Sequence, residues 1–380
     1  MPLLVNVFLR GAADGLSLLA PVADPAYHSA RPTQALSPSA VIDVGVDGFG
    51  MHPGAPRIAE LTRAGSVAVV PAAGYDGQTR SHFQSQAILE TAVGDDGATQ
   101  DAGLGWIAQL LEADAATDAA PFRGVAVGSV SVPPSMWGSS DTLGVPDPAA
   151  LRLGTLRPAR HKRGAYHVLD SPFVPDRSAM QLAWNDTEAL PEVTTDGVSA
   201  SFGVLDRLAS TPISVDEPDA FGAGPTAATF AAASAVIDAA LGTEVVQIDL
   251  GGWDTHTAQG TTDGDFAALV SGLDDGIGAL FSHHGGNGTG LVITVMSEFG
   301  RRVSENASGG TDHGRGGLAL VIGDAVAGGV QGTWPGLADL DDGDVRAVND
   351  LRVLQSEVAL HVFGAHIPTP SGAASLNLFG

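Results

Sequence analysis

Residues 248–256 read IDLGGWDTH, an apolar segment that ends in polar residues. The apolar run stops at Gly251 and Gly252, and Asp254 and His256 follow immediately. Such a run is typical of a buried strand in a parallel sheet. A carboxylate oxygen and an imidazole nitrogen at the end of that strand are ligands that a metal site in an α/β enzyme would use.

Two further segments end in the same way. The apolar run 291–296 leads directly into Ser297 and Glu298, and His313 lies in a glycine-rich stretch that precedes apolar residues 318–322. Three polar clusters at the ends of apolar segments predict one assembled site.

The amino-terminal part supplies more candidates. An apolar run over residues 5–9 predicts the first strand, and the following turn brings Asp14 to its carboxyl end. A second strand is predicted over 66–71, and a helix over 81–91 carries Ser81 and His82 in its first turn. A helix amino terminus holds anions and activates hydroxyls.

Alternating strands and helices favour an α/β fold with a mostly parallel sheet covered by helices on both faces. We expect a single domain over residues 1–380, with an insertion or lid around 133–176, which is rich in Pro, Gly and Arg. The further elements predicted are strands at 124–132, 244–250 and 291–296 and helices at 51–61, 108–116, 226–241 and 266–281.

Composition narrows the classes of function. The formal net charge of −25 disfavours nucleic acid and anionic lipid as partners. A small, anionic substrate is compatible with this negative charge if a metal or local arginines make the electrostatic potential in the cleft positive. The absence of cysteine excludes thiolate ligands, so any metal must use Asp, Glu, His, hydroxyl or water. The arginines that could make the cleft positive for an anionic substrate are Arg80, Arg301, Arg302 and Arg315.

No window approaches 18 uninterrupted apolar residues, and the apolar part of residues 1–10 is too short for a signal peptide. We therefore expect no membrane span and slightly favour a cytoplasmic protein. An exported protein whose signal is absent from this chain is the alternative, and the oligomeric state stays open.

The polar motifs together resemble the DUF1501 family, which is similar to the alkaline phosphatase, sulfatase and phosphoglycerate mutase superfamily. This resemblance implies an alkaline-phosphatase-like three-layer sandwich. The motifs that carry it are FLRGAADG at 8–15, GMHP at 50–53, TRSHF at 79–83, GGWDTH at 251–256, SEFGR at 297–301 and GTDHG at 310–314.

The resemblance also implies which residues hold metal. Phe299 stands where the superfamily has a ligating histidine, and His256 follows Asp254 more closely than in the phosphatases. These departures imply one complete metal site, or one strong and one weak. The metal ligands implied by the resemblance are Asp14, Asp254, His256, Glu298 and His313.

The expected chemistry is hydrolysis or transfer of a phosphate or sulfate ester with one or two divalent ions of Zn, Mn or Ca. Ser81 occupies the nucleophile position, with Thr79 as its competitor. Arg80 would clamp the oxyanion of the substrate, and His82 would act as ligand or as acid/base.

Two other functions are considered. One is lyase, isomerase or redox chemistry on a small molecule, with His82, His256 and Glu298 as acid/base groups. The other is a binding module without catalysis. Asp312 is interpreted either as an orienting partner for the site or as a turn residue.

Overall fold

The computed structural model describes residues 3–92, 104–113, 122–129, 131–139, 141–146, 203, 206–207, 218–286 and 288–380. Thirteen strands are present in this part of the chain. They are β1 Leu3–Leu9, β2 Leu19–Ala20, β3 Gly50–Met51, β4 Val67–Gly74, β5 Gly124–Val127, β6 Thr142–Val145, β7 Val245–Leu250, β8 Leu291–Ser297, β9 Arg301–Glu305, β10 Thr311–His313, β11 Gly317–Gly323, β12 Gly329–Val330 and β13 Asn349–Asp350.

Eight α-helices accompany these strands over the same described ranges. They are α1 Gly15–Leu18, α2 Pro25–Ala30, α3 Pro56–Arg63, α4 His82–Thr91, α5 Trp106–Ala113, α6 Gly224–Asp238, α7 Asp265–His284 and α8 Leu351–Phe363. Among the described helices, none combines the length and the apolar character needed to cross a membrane.

A nine-stranded sheet forms the centre of the molecule, in the order β12-β4-β11-β8-β1-β7-β5-β6, with β13 also paired to β4. Its pairs are parallel except those that β11 makes with β4 and β8, which are antiparallel. The fold is therefore mixed α/β with a large, mostly parallel central sheet, as the alternation of elements in the sequence predicts.

Helices cover the sheet on both sides, because alternate residues of a strand point to opposite faces. In β1, Val5 and Val7 pack in a core that includes residues of α3, α6 and α7. Leu4 and Phe8 pack in a second core that includes residues of α5 and α8. Strands buried on both faces explain why the apolar runs in the sequence are nearly continuous.

Some boundaries differ from those predicted. The helix expected over 51–61 begins only at Pro56, because Gly50–Met51 pairs with β2 and proline suits the first turn of a helix. The strand expected over 124–132 ends at Val127. Within the expected insertion at 133–176, Thr142–Val145 forms an edge strand of the main sheet. Residues 147–176 lie outside the described part, so the insertion or lid stays a prediction.

The carboxyl ends of four strands meet at one edge of the sheet. Leu9 of β1 is in register with Leu250 of β7 and with Ser297 of β8, so the segments that follow these strands start at the same level. Strand β4 runs in the same direction as β8, since both are antiparallel to β11. The loops after β1, β4, β7 and β8 therefore share one edge.

A buried ion pair anchors the segment after β1. Arg31 donates to both carboxylate oxygens of Asp14, at 2.6 and 3.0 Å, and to two carbonyl oxygens of β9, each at 2.9 Å. Ser17 and Gln259 also donate to Asp14, each at 2.7 Å. Burial raises the pKa of Asp14, but the charge of Arg31 and the hydrogen bonds from Arg31, Ser17 and Gln259 together hold this pKa below its usual value. The pair links β1 to β9.

Replacement of Arg31 by Met should lower the free energy of unfolding by about 3–5 kcal/mol, because it leaves a buried carboxylate without its counter-charge. Urea denaturation followed by circular dichroism measures this loss. Arg346→Met is the matched control, since Arg346 and its partner Asp339 are solvent-exposed and their pair should contribute at most about 1 kcal/mol. Equal losses in the two variants would contradict a structural role for the Arg31 pair.

Stability should also depend on pH through Asp14. Its folded-state pKa is lowered, so the stabilisation is present above the unfolded-state pKa of about 3.9 and is lost as pH falls through the folded-state value. Asp14→Asn should flatten the decline of unfolding free energy as pH falls below about 4, while lowering stability at pH 7. An unchanged decline in the variant would show that Asp14 is not responsible.

Candidate metal centre

Four segments at the shared sheet edge bring the candidate residues together. His82 is the first residue of α4, which follows β4. Asp254 and His256 lie in the loop after β7, Glu298 directly follows β8, and His313 ends β10, whose partner in the hairpin is β9. The segments that the sequence singled out therefore meet at one place.

The side chains of His82, Asp254 and His313 each offer one ligand atom, and these atoms lie within 4.8 Å of one another. The Nε2 atom of His313 is 3.0 Å from that of His82 and 2.9 Å from that of His256. Asp254 Oδ1 is 3.1 Å from His313 Nε2 and 3.0 Å from His256 Nε2. The ligand atoms of His82, Asp254 and His313 thus converge, and His256 Nε2 lies beside those of His313 and Asp254.

The other nitrogen of each ring is held by an oxygen atom. Since a carbonyl or an ionised carboxylate only accepts hydrogen bonds, each Nδ1 must carry the hydrogen, and a neutral ring then has its lone pair on Nε2. The three contacts run from His82 Nδ1 to Glu298 Oε1 at 2.7 Å, from His256 Nδ1 to Asp312 Oδ1 at 3.1 Å and from His313 Nδ1 to the carbonyl of Arg80 at 3.0 Å.

The charges around the rings support these tautomers. Burial raises the pKa of Glu298, but hydrogen bonds from backbone and from Gln86 and His82 bring it below its usual value. Hydrogen bonds from Asn306 and His256 lower the pKa of Asp312. Both carboxylates are therefore ionised at neutral pH. Burial lowers the pKa of His313, which keeps this ring neutral.

Arg301 holds Asp254 in place. Its guanidinium has no exposed surface and donates to Asp254 Oδ1 at 2.6 Å. Burial raises the pKa of Asp254, but the hydrogen bond from Arg301 and its positive charge help to hold this pKa below its usual value. Asp254 is thus an ionised carboxylate beside the three imidazoles. The sequence makes Arg301 a candidate for reversing the charge of the cleft, but in the structure its guanidinium donates to acceptors inside the protein.

Glu298 lies behind His82 rather than among the converging atoms. Its carboxylate is fully buried and accepts from the backbone N–H of Gly11 at 3.0 Å, from Gln86 Nε2 at 2.9 Å and from the Ser297 hydroxyl at 3.0 Å, besides His82. The family resemblance implies a metal ligand here, and in the structure this carboxylate contacts the Nδ1 side of the His82 ring.

Asp14, also expected to bind metal, is not brought into the cluster. Its carboxylate is fully buried and is occupied by Arg31, Ser17 and Gln259. Neither Arg31, in a loop-rich region, nor Gln259 showed a pattern in the sequence that marked it as a partner.

The three residues expected to act on substrate lie next to one another. The Arg80 guanidinium is paired with Asp344 at 2.6 Å and with Asp342 at 2.9 Å, so an oxyanion that bound Arg80 would have to replace one of these carboxylates. Ser81 is the N-cap residue of α4, and its hydroxyl makes no capping hydrogen bond. The competing hydroxyl of Thr79 donates to the side chain of Gln84 at 2.9 Å.

Two residues that hydrogen-bond to the carboxylates behind the histidines, Gln86 and Asn306, are not predicted from the sequence. Gln86 lies one helical turn after His82 on α4, so the i, i+4 spacing could have indicated that both side chains reach the same partner. Asn306 donates to Asp312 and to the carbonyl of His256, each at 2.9 Å. No spacing rule connects Asn306 to His256. Asp312, for which two interpretations were open, contacts His256.

Solved structures share limited similarity with the chain. The crystal structure of Ps i-CgsB has 12% identity, covers 96% of this chain and 72% of that chain, and gives a TM-score of 0.38. Its complex with k-i-k-neocarrahexaose has 13% identity, 99% and 75% coverage, and a TM-score of 0.36. Phosphonoacetate hydrolase from Sinorhizobium meliloti 1021, in complex with phosphonoformate, has 12% identity, 80% and 57% coverage, and a TM-score of 0.31.

These TM-scores are too low to carry an argument about fold or activity. No curated protein matches the chain. Residues 219–355 match the profile of a family described as "Protein of unknown function (DUF1501)", which confirms the resemblance for the part of the chain that contains Asp254, His256, Glu298 and His313.

Proposed function

We propose that the protein is a metal-dependent hydrolase or transferase that acts on a phosphate or sulfate ester. One observation carries the proposal: the ligand atoms of His82, Asp254 and His313 lie within 4.8 Å of one another, with His256 Nε2 next to His313 Nε2, while the Nδ1 of each ring donates to an oxygen atom. Histidines that bind metal nearly always donate the second ring N–H in this way. The alkaline-phosphatase-like arrangement implied by the sequence motifs is part of the same proposal.

The donor set fits a divalent cation. When the rings are neutral with hydrogen on each Nδ1, the contacts of 2.9 and 3.0 Å between Nε2 atoms bring lone pairs together, which is unfavourable without a cation between them. Three nitrogens and one carboxylate suit Zn²⁺ or Mn²⁺ better than Ca²⁺, which prefers oxygen ligands. His82, His256, His313 and Asp254 would hold the ion.

Ser81 is the proposed nucleophile. A bound divalent ion supplies Lewis-acid stabilisation of negative charge on the transferred group. Ser81 directly precedes the metal-binding His82 and stands at the amino terminus of α4, where the helix dipole favours the anionic form of a hydroxyl. Glu298 and Gln86 keep His82 in its orientation, and thereby fix the start of the helix relative to β8.

The metal proposal predicts that the purified protein binds about one equivalent of Zn²⁺ or Mn²⁺ at neutral pH. Asp254→Ala and His313→Ala should abolish this binding, because each removes a converging donor. Asp312→Asn should weaken the affinity for the metal by about 10–100-fold, because it removes only the negative charge that accepts the hydrogen bond from His256 Nδ1. Elemental analysis after dialysis and competition titration with a chelating dye give the stoichiometry and the affinity.

His366→Ala is the matched control, because His366 is a solvent-exposed histidine in the carboxyl-terminal segment. It should bind metal as the unchanged protein does. Stoichiometric metal in His313→Ala, or metal loss in all variants alike, would contradict the proposed centre.

The role of Ser81 predicts a loss of at least about 100-fold in turnover for Ser81→Ala, with metal content unchanged. Thr79→Ala, which removes the neighbouring hydroxyl, should retain turnover. A panel of aryl phosphate and aryl sulfate esters measures this in the metal-loaded protein. Equal activity of Ser81→Ala and the unchanged protein would exclude Ser81 as the nucleophile.

A second candidate function is acid/base chemistry on a small molecule. The 2.7 Å contact between His82 and the buried Glu298 favours it, because a carboxylate that orients an imidazole is also the arrangement of a general base. Full turnover in Ser81→Ala combined with loss in Glu298→Gln would support this second function over the first.

A further inference from the structure

Three arginines surround one buried aspartate next to the metal centre. Arg80 donates to Asp344 Oδ2 from Nε at 2.8 Å and from Nη2 at 2.6 Å. Arg302 and Arg315 approach the same carboxylate at 3.8 and 3.9 Å. The Asp344 side chain has no exposed surface, and its Oδ1 is buried without a hydrogen-bond partner. We call these four residues the arginine cluster.

A second aspartate reaches the cluster from outside. Asp342 Oδ2 lies 2.9 Å from Arg80 Nη2 and 3.6 Å from Arg302 Nη2, while its side chain is 69% exposed. Asp342 and Gly343 both have positive φ, of 54° and 84°, between Asp341 and Asp344, which form an antiparallel bridge. This tight turn presents the Asp342 carboxylate to the two arginines.

We propose that Arg80 and Arg302 form a binding site for an oxyanion group of a ligand, and that Asp342 is an internal carboxylate which occupies this site until the ligand displaces it. The ligand class is a small molecule with a phosphate, sulfate or carboxylate group. The proposal does not require the protein to be a hydrolase.

The two aspartates differ in how readily they can leave. Asp344 is buried beneath the arginines and cannot move into solvent without disrupting the cluster. Asp342 is held by exposed contacts, which contribute little to stability, so its exchange for another anion costs little. Arg315 also contacts Asp341. When Asp342 swings away, three arginines face Asp341 and Asp344, and one positive charge remains in excess.

The position of the site relates it to the metal centre. The carbonyl of Arg80 accepts from His313 Nδ1 at 3.0 Å, so one arginine side chain separates the cluster from the converging nitrogens. Arg302 follows Arg301, the residue that holds Asp254. A ligand with one group at the metal centre could place a second, anionic group between Arg80 and Arg302.

Removal of the internal carboxylate tests the proposal. Isothermal titration of inorganic phosphate into full-length protein, stripped of divalent metal by dialysis against a chelator, reports on this site without competition from a metal. Asp342→Asn should bind phosphate at least about fivefold more tightly than the unchanged protein, the factor that corresponds to loss of one exposed ion pair. Asparagine tolerates the left-handed backbone at this position.

Asp339→Asn is the matched control: it makes the same charge change in the same loop, but its partner is Arg346, outside the cluster. It should bind phosphate as the unchanged protein does. Addition of Arg302→Gln to Asp342→Asn should abolish the gain. Equal affinity in Asp342→Asn and Asp339→Asn, or a gain that survives Arg302→Gln, would overturn the proposal. Metal binding is measured separately, so its failure is distinguishable from failure of the oxyanion site.

Discussion

The arrangement of the candidate centre depends on the buried guanidinium of Arg301. A buried charge is tolerated only when acceptors surround it, and Arg301 finds them in several different segments. Its contacts join the loop after β1, the loop after β7 and the β9–β10 hairpin. The acceptors are the carbonyls of Gly11, Ala12, Trp253 and Thr311, at 2.6, 2.6, 3.1 and 2.7 Å, and Asp254 Oδ1 at 2.6 Å. One side chain thereby sets the spacing of three segments, two of which carry candidate ligands.

Close backbone approach is the second requirement of this arrangement, and it explains two of the glycines that flank the motifs. Gly11 has a φ of +119°, and a Cβ atom there would lie 2.5 Å from the backbone nitrogen of Asp254. A Cβ at Gly310 would lie 2.3 Å from the carbonyl carbon of His256. A side chain at either position would push apart the segments that Arg301 draws together, so these glycines serve the packing of the centre.

The sequence predicted most of the central strands because burial on both faces leaves long apolar runs, as in residues 5–9 and 291–296. It also predicted that the polar residues following these runs would meet, and His82, Asp254, His256 and His313 do so in the structure. It could not separate residues that face the centre from those that stand behind it. Glu298 and Asp14 also follow strands, but their direction is decided by tertiary partners such as Gln86 and Arg31, which no local spacing rule identifies.

The charges around the candidate centre determine how it can bind an anion. The chain carries a formal net charge of −25, so an anionic ligand gains nothing from the overall field. Each of Arg80, Arg301 and Arg302 is paired with an aspartate of the chain itself. Anion recognition at this sheet edge must therefore come from a cation held by the histidines or from exchange of an internal carboxylate. Both routes require the ligand to replace an existing interaction, so affinity depends on how well the ligand's oxygens match the geometry left by the displaced group. A neutral ligand of the same shape cannot take the place of the Asp342 carboxylate without leaving arginine charge uncompensated, so the exchange itself selects for anions.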